Sequence, residues 1–217
     1  MSFIEASSTG IRERSVATIM GQVLSLVGAA IGLCALGSYL GQDLAFGTAR
    51  LLSFVGLGML IAQNFVRPLR YGPLGIGWLA ATAAVIGFGL GPVLQWYVNT
   101  DPGTLTSALG ITTLTVVGMG AAGFAWSKDL IGWMRPLSYI VLGAVVISLG
   151  ALIFGGLGSL SPFISIIILL ASAGLIMVDF NYVRKHATED DVVWLATGIF
   201  VAVLNIFLSL LNIFSSR

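Results

Sequence analysis

The chain has 217 residues, of which 57% are hydrophobic and only 9% are charged, and its formal net charge is +1. A water-soluble domain of this size could not bury so much apolar surface, so the composition excludes that class and predicts a polytopic membrane protein in a lipid bilayer. The basic residues form no continuous block in the sequence, which argues against nucleic acid as a partner. Cys34 is the only cysteine, so neither an intramolecular disulfide nor a thiolate metal cluster can form.

Runs of about 20 apolar residues, each bounded by charge, proline or polar turns, predict seven membrane spans. Turn signals such as Asp101-Pro102-Gly103 and Ser159-Leu160-Ser161-Pro162 separate some of them. No segment resembles a soluble domain, so we predict one all-α membrane domain over residues 1–217. The predicted spans cover residues 16–39, 46–65, 74–97, 104–126, 136–154, 163–183 and 192–214.

The basic residues predict the orientation, because Lys and Arg near span ends are held on the cytoplasmic side during insertion. Only Arg50 and Arg217 fall on the opposite side, so we expect a cytoplasmic N-terminus. The basic residues that share the predicted cytoplasmic side are Arg12, Arg14, Arg67, Arg70, Lys128, Arg135, Arg184 and Lys185. The short N-terminal tail and compact loops favour a bacterial cytoplasmic membrane.

Two glycine-rich stretches lie within predicted spans. The stretch from Gly118 to Gly123 matches the Gly-x-Gly-x-x-Gly pattern of dinucleotide-binding proteins. That pattern functions only at a turn from a strand to a helix, whereas this stretch lies in the middle of a span. We therefore interpret it as a helix-packing face, as we do Gly28 to Gly32 in the first span.

Asp179 is the one acid that lies clearly within a predicted span. A carboxylate in an apolar span costs a few kcal/mol on insertion scales, and it marks a functional site by default. A charged turn follows, from Arg184 to Asp191. We interpret His186 in this turn as a solvated loop residue, and a pH-sensing role is the alternative. The acids from Glu189 to Asp191 suit the positive N-terminal end of the last helix.

Polar residues in the last span lie on one helical face: Asn205, Ser209 and Asn212. Interhelical hydrogen bonding and the lining of a polar path both explain this face. The chain offers one histidine and no paired carboxylates within its spans, so we expect neither catalysis nor a cofactor. The small number of intramembrane polar residues and the lack of an internal repeat argue against a solute transporter.

Several short stretches, in order along the chain, resemble the Bax inhibitor-1-like family, also called the transmembrane Bax inhibitor motif family. Val178-Asp179-Phe180-Asn181 and then Ala196 to Phe207 are similar to the family's Tyr-Asp-x-x and Leu-Tyr-Leu-Asp-x-x-Asn-Leu-Phe. Gly87 to Pro92 in the third span and Ser127-Lys128-Asp129-Leu130 after the fourth also agree with it.

The resemblance implies a seven-helix bundle whose last helix is surrounded by the other six, and bacterial members are associated with a pH-sensitive calcium leak. In that picture two aspartates share a proton, and an arginine near the cytoplasmic mouth engages them. The first aspartate corresponds to Asp179, whereas the second falls on Ala202; Val178 and Phe200 replace the motif's tyrosines. Because two close carboxylates raise each other's pKa, the loss of one predicts a weakened pH sensor.

Two hypotheses follow. In the first, the protein mediates or regulates a leak of calcium or protons, with Asp179, Asn205 and Asn181 along the ion pathway and Arg67 or Arg70 as the partner of Asp179 at the gate. No metal site is assigned, because calcium typically takes 6 to 8 oxygen ligands. In the alternative, the protein conducts nothing and is a regulatory or quality-control protein that binds a membrane-bound AAA protease or other membrane partners, as the resemblance also implies.

Overall fold

Seven long helices make up most of the computed structural model, which describes residues 3–154 and 161–216. The part of the chain that it describes contains no strand, and each of the seven helices is long and apolar enough to cross a membrane. The prediction of an all-α protein with seven spans is therefore confirmed. The helices are α1 (Phe3–Leu40), α2 (Phe46–Phe65), α3 (Gly72–Thr100), α4 (Pro102–Ala125), α5 (Ile131–Phe154), α6 (Ser161–Lys185) and α7 (Val192–Ser215).

The first helix begins at Phe3, well before the predicted span that starts at residue 16. Among the other helices, the predicted boundaries differ most from the structure at the start of α5. This helix begins at Ile131 and not at Pro136, and it continues through that proline. Pro136 is the sixth residue of this helix, so it removes the bond to the Gly132 carbonyl and crowds it. Membrane helices tolerate such a proline because other groups can satisfy the freed carbonyl. The predicted turn residues Ser159 and Leu160, and Arg217, lie outside the described residues.

The last helix is the most buried of the seven spans. In its most apolar stretch 61% of the residues are buried, against 44% for α6 and at most 39% for the others. Large apolar side chains are instead exposed on other helices, such as Leu114 on α4 and Tyr139 on α5. Such exposure suits hydrocarbon as the solvent. The central position of α7 and the cytoplasmic N-terminus stay predictions.

The chain groups into two compact units, and the first comprises Met1–Val93 and Val183–Thr197. Within it, small residues allow α1 and α3 to touch backbone to backbone. A Cβ atom built on Gly37 would lie 2.6 Å from the Ala84 carbonyl oxygen, and one on Gly91 would lie 2.5 Å from the Gly41 carbonyl carbon.

In the predicted packing face from Gly28 to Gly32, Ala30 is buried, but a Cβ atom on either of the two glycines would meet nothing within 4 Å in the described structure. The close packing of α1 lies further along the helix, at Gly37 and Gly41. Several glycines in one helix offer alternative contact faces, and only the course of the neighbouring helix decides between them.

The second unit comprises Leu94–Tyr182 and Gly198–Arg217. Here Gly120 of α4 packs against the ring of Phe180, and Gly123 packs against the backbone of Met177. The packing-face interpretation of this glycine stretch is confirmed for these two positions, whereas Gly118 faces open space. The core of this unit consists of Tyr97, Ala108, Ala173, Ile176, Ala202, Ile206, Phe207, Leu210 and Leu211. That the whole chain forms a single domain stays a prediction.

Candidate functional site

Asp179 lies two turns before the end of α6 and is only 5% exposed. Within the described residues, no hydrogen-bond donor or basic side chain contacts its carboxylate. Burial without a partner is costly for a carboxylate, because desolvation disfavours the charged form. The structure therefore leaves Asp179 as a buried acid with unused hydrogen-bonding capacity, and its functional role stays a prediction.

The carboxylate lies next to α7. A Cβ atom built on Gly198 would be 3.6 Å from Oδ2 of Asp179. Gly198 is exposed, although its immediate neighbours Thr197 and Ile199 are buried. The less buried positions of α7 recur at intervals of four and three, through Val201 and Asn205, so the exposed glycine belongs to one continuous helical face.

Ala202 follows Gly198 by one turn on α7 and is 1% exposed. Its methyl group belongs to the apolar core of the second unit, together with Ala173 and Ile176 of α6. The position that the resemblance assigns to a second aspartate is therefore occupied by packed hydrocarbon. Asp179 has no carboxylate from this position with which to share a proton.

The three polar residues of α7 differ in their surroundings. Asn205 is half-buried, Ser209 is buried, and Asn212 is exposed. The side-chain oxygen of Asn212 accepts a hydrogen bond of 3.1 Å from the hydroxyl of Ser161 at the start of α6. Interhelical hydrogen bonding therefore explains the polar side chain of Asn212. A role for Asn205 in an ion path stays a prediction.

Asn181 is fully buried and joins α6 to the connection between α4 and α5. Its Nδ2 donates to the carbonyl oxygens of Gly123 (3.1 Å), Trp126 (3.1 Å) and Lys128 (3.2 Å). Its Oδ1 accepts a hydrogen bond of 3.0 Å from the backbone N–H of Leu130. The amide thus satisfies backbone groups at the end of α4 that would otherwise lack partners. Asn181 thus has a structural role, because it holds the connection between α4 and α5 against α6. Its predicted place in an ion pathway stays a prediction.

The two predicted gate arginines lie in the first unit, on the 3₁₀ helix Arg67–Arg70. The Arg70 guanidinium donates to the carbonyl oxygens of Gln63 and Asn64, the Nε bond to Gln63 being 2.8 Å long. It thereby caps the C-terminal end of α2, where a cation suits the helix dipole. Arg67 is exposed. Since Asp179 belongs to the other unit, its pairing with either arginine stays a prediction.

A second buried polar group was not singled out from the sequence. The Gln63 side chain, 5% exposed, donates 3.1 Å hydrogen bonds to the Leu69 carbonyl oxygen and to the hydroxyl of Thr197 on α7. Thr197 in turn donates to the carbonyl oxygen of Val193. The sequence signal for this group is a glutamine inside an apolar run, because polar residues within a membrane span usually face other helices.

The charged turn behaves largely as predicted. Thr188 and Asp191 form a capping box around the 3₁₀ helix that precedes α7, and Asp191 also accepts a hydrogen bond from the indole N–H of Trp194. His186 is exposed, just after the end of α6. No group of three or more His, Cys, Asp or Glu side chains that could hold a metal occurs in the described part of the chain.

A family model, "Inhibitor of apoptosis-promoting Bax1", matches residues 16–217. The chain belongs to this family. Membership in the Bax inhibitor-1 family confirms the predicted resemblance, and it accounts for the order of the short motifs that surround Asp179.

The relatives of this Bax inhibitor-1 family member are bacterial proteins, and several are described as membrane proteins. The chain is 32% identical over 172 residues to the "Modulator of FtsH protease YccA" of Escherichia coli K12, with 77% of this chain and 76% of the relative covered. It is 26% identical over 219 residues to an uncharacterised protein of Pseudomonas aeruginosa, covering 97% and 94%. An uncharacterised membrane protein of Streptococcus pyogenes is 27% identical over 214 residues, covering 89% and 90%.

These names agree with the predicted localisation. YccA of Escherichia coli O6:H1 is described as an inner membrane protein, and this Bax inhibitor-1 family member has seven helices that can span a bilayer. The prediction of a multi-pass membrane protein is confirmed.

Proposed function

We propose that the protein regulates a membrane-bound protease of the FtsH type by binding it in the membrane, without a catalytic step of its own. The observation that carries this proposal is the 32% identity to the modulator YccA across about three quarters of both chains. The chemistry of the site supports it as well. Ala202 lies in an apolar core where the family motif has an aspartate, so the paired-carboxylate arrangement of a pH-sensitive leak is incomplete.

The experiment is a reconstitution in proteoliposomes of the protein, an FtsH-type protease and a membrane protein that this protease degrades. We expect a complex that survives purification in mild detergent, and a change in the rate of degradation that saturates with the amount of added protein. A seven-helix membrane protein from another family, added at the same ratio, is the control. Unchanged degradation together with repeated recovery of the protein alone would contradict the proposal.

A second candidate function is the passage of calcium or protons, and the buried carboxylate of Asp179 favours it. An acid in a span that meets no basic side chain or hydrogen-bond donor among the described residues is typical of a permeation or proton-exchange site. Gly198 beside it is exposed, so the carboxylate lies next to accessible space.

Ion flux into proteoliposomes across the neutral pH range tests this second function. Asp179→Asn keeps the size of the side chain and removes its charge, so it should change a leak that depends on the carboxylate. Ala202→Asp places a carboxylate one helical turn from Gly198, where it would interact with Asp179 and create coupled titration. If only Ala202→Asp leaks in a pH-dependent way, the natural chain has lost the sensor and protease regulation is the better account.

A further inference from the structure

Polar residues recur every seven positions along α6, at Ser165, Ser172 and Asp179. Seven residues are close to two helical turns, so the three side chains lie within about 40° of one another around the helix and extend over about 21 Å along it. Their exposed fractions are 8%, 0% and 5%. We call these three residues the α6 polar face. It covers about two thirds of the thickness of a bilayer's hydrocarbon core, which is about 30 Å.

The hydroxyl of Ser172 is one of two buried side-chain hydroxyls, with that of Thr82 on α3, that have no hydrogen-bond partner in the described part of the chain. Many other helical hydroxyls donate to the carbonyl oxygen four residues earlier, as Thr112 does to Ala108. A buried hydroxyl without a partner is unfavourable, and an internal water molecule is the usual remedy. If Ser172 served only as a small packing residue, its hydroxyl would be expected to bond its own helix.

The same face ends at Asp179, whose carboxylate also contacts no donor in the described part of the chain. The residue next to it on α7 is the exposed Gly198. Neither α7 nor α4 carries an ionisable side chain. Of the other helices that pack against α6 in this unit, α5 carries Arg135 and α3 carries Tyr97, and neither of these side chains contacts Asp179. Two buried polar groups with unused hydrogen-bonding capacity therefore lie on one face, about 10.5 Å apart along the helix, a separation that about three water molecules bridge.

We propose that the α6 polar face binds a chain of internal water molecules that carries protons between the end of the membrane where α6 begins and the carboxylate of Asp179. In each transfer, a water molecule or a serine hydroxyl accepts one proton and releases another, and Asp179 is the terminal acceptor or donor. This proton path rests on the second candidate function, for which it names the route, and it does not depend on protease regulation.

Single cysteines measure whether water reaches this face. Cys34→Ser gives a chain without cysteine, into which Ser165→Cys and Ser172→Cys introduce one thiol each at nearly constant volume. Ala171→Cys is the matched control, because Ala171 is buried at the same depth but points about 100° away around the helix. Sealed vesicles are treated with silver ions, which react with thiols in aqueous surroundings, and the protein is then denatured and its remaining thiols are labelled with a fluorescent maleimide.

We expect both serine-derived thiols to react several-fold faster than the thiol at position 171. Equal rates at positions 171 and 172 would overturn the proposal. These substitutions are small, so the measurement does not rely on a variant that blocks the path.

A second variant, in which the polar face is blocked at Ser172, tests whether the path reaches position 179 from the side of the membrane where α6 begins. In the Asp179→Cys chain, Ser172→Val removes the hydroxyl and adds bulk between Ser165 and position 179. Silver applied on the side where α6 begins should then react several-fold more slowly at position 179, while Ala171→Val should leave the rate unchanged. An unchanged rate with Ser172→Val, in a chain that still folds, would overturn the proposal. Neither outcome bears on protease binding, which the reconstitution measures separately.

Discussion

The carboxylate of Asp179 and the backbone of Gly198 face each other across α6 and α7, at a distance that leaves room for one methyl group. A Cβ atom built on Gly198 would lie 3.6 Å from Asp179 Oδ2, which is ordinary van der Waals contact, and it would meet no other heavy atom within 4 Å. The exposure of Gly198 therefore reflects open space beside the acid and not a need for close backbone packing.

Gly198→Ala is accordingly expected to be tolerated. The added methyl group has space, and alanine is favoured over glycine inside a helix by about 1 kcal/mol. The midpoint of thermal unfolding in detergent should stay the same or rise slightly relative to the natural chain. A clear fall in the midpoint would show that the backbone of α7 is packed more tightly at this point than the structure indicates.

Gly123→Ala should have the opposite effect, because its methyl group would collide with the backbone of Met177 on α6. Backbone atoms cannot move aside as a flexible side chain can, so we expect a loss of about 1–3 kcal/mol, as for overpacking in a core. Gly118→Ala on the same helix is the matched control, because nothing lies within 4 Å of its Cβ position. Equal unfolding midpoints for the two variants would contradict the observed packing of α4 on α6.

The spans could be predicted from the sequence because the length of an apolar run is almost sufficient to define a membrane helix. Asp179 was found for a related reason, since an acid stands out within such a run. The start of α5 does not follow from the sequence in this way, because a proline usually marks a helix boundary, whereas this membrane helix continues through Pro136.

The roles of Asn181 and Gln63 could not be predicted in the same way. Both bind groups that are distant in sequence: Asn181 donates to the carbonyl oxygen of Gly123 on another helix, and Gln63 donates to the hydroxyl of Thr197, which lies 134 positions later. Neither pairing follows a helical period, so only the packed structure reveals it. Hydropathy shows that a polar residue lies within a span but does not identify the group that it satisfies.

The pH dependence of stability should include a contribution from Asp101, which lies outside the membrane spans at the N-cap of α4. Its hydrogen bonds with the side chain and backbone of Thr104 lower the pKa of its carboxyl group. Because the folded-state pKa is lower than the unfolded one, this stabilisation is present above the unfolded pKa and is lost as pH falls through the folded pKa.

Asp101→Asn keeps an N-cap acceptor and removes the titration. The difference in unfolding midpoint between the natural chain and this variant should therefore be larger at about pH 6 than at about pH 3, on either side of the ordinary Asp range. The difference will be modest, because solvent screens an exposed group. A constant difference across this range would show that the carboxylate charge adds nothing to the cap.

The hydrogen bond between Gln63 and Thr197 can be measured by a double-mutant cycle with Gln63→Met and Thr197→Val. Both changes keep the approximate volume and remove hydrogen-bonding groups. Interhelical hydrogen bonds of this kind in a membrane protein average about 0.6 kcal/mol and reach about 1.7 kcal/mol. We expect a coupling free energy within that range from chemical unfolding in detergent micelles. Additive effects of the two substitutions would indicate that the side chains do not interact in the folded protein.

Asn181→Ala should release the connection between α4 and α5, because one side chain satisfies three carbonyl oxygens and the N–H of Leu130. Leaving such groups without partners costs about 1–3 kcal/mol for each buried one. Asn212→Ala is the control, since the exposed Asn212 accepts a hydrogen bond of 3.1 Å from Ser161 and holds no backbone group of the α4–α5 connection.

Limited trypsin digestion of vesicles reports on this connection directly, because Lys128 is an exposed cleavage site within it. Cleavage after Lys128 should be faster in Asn181→Ala than in the natural chain, and unchanged in Asn212→Ala. Asn181→Asp should be cleaved fastest, since a carboxylate in that position would repel the three carbonyl oxygens that the amide now binds. If all four proteins are cleaved at the same rate, Asn181 does not hold this connection in place, and its role in an ion pathway becomes the better explanation of its burial.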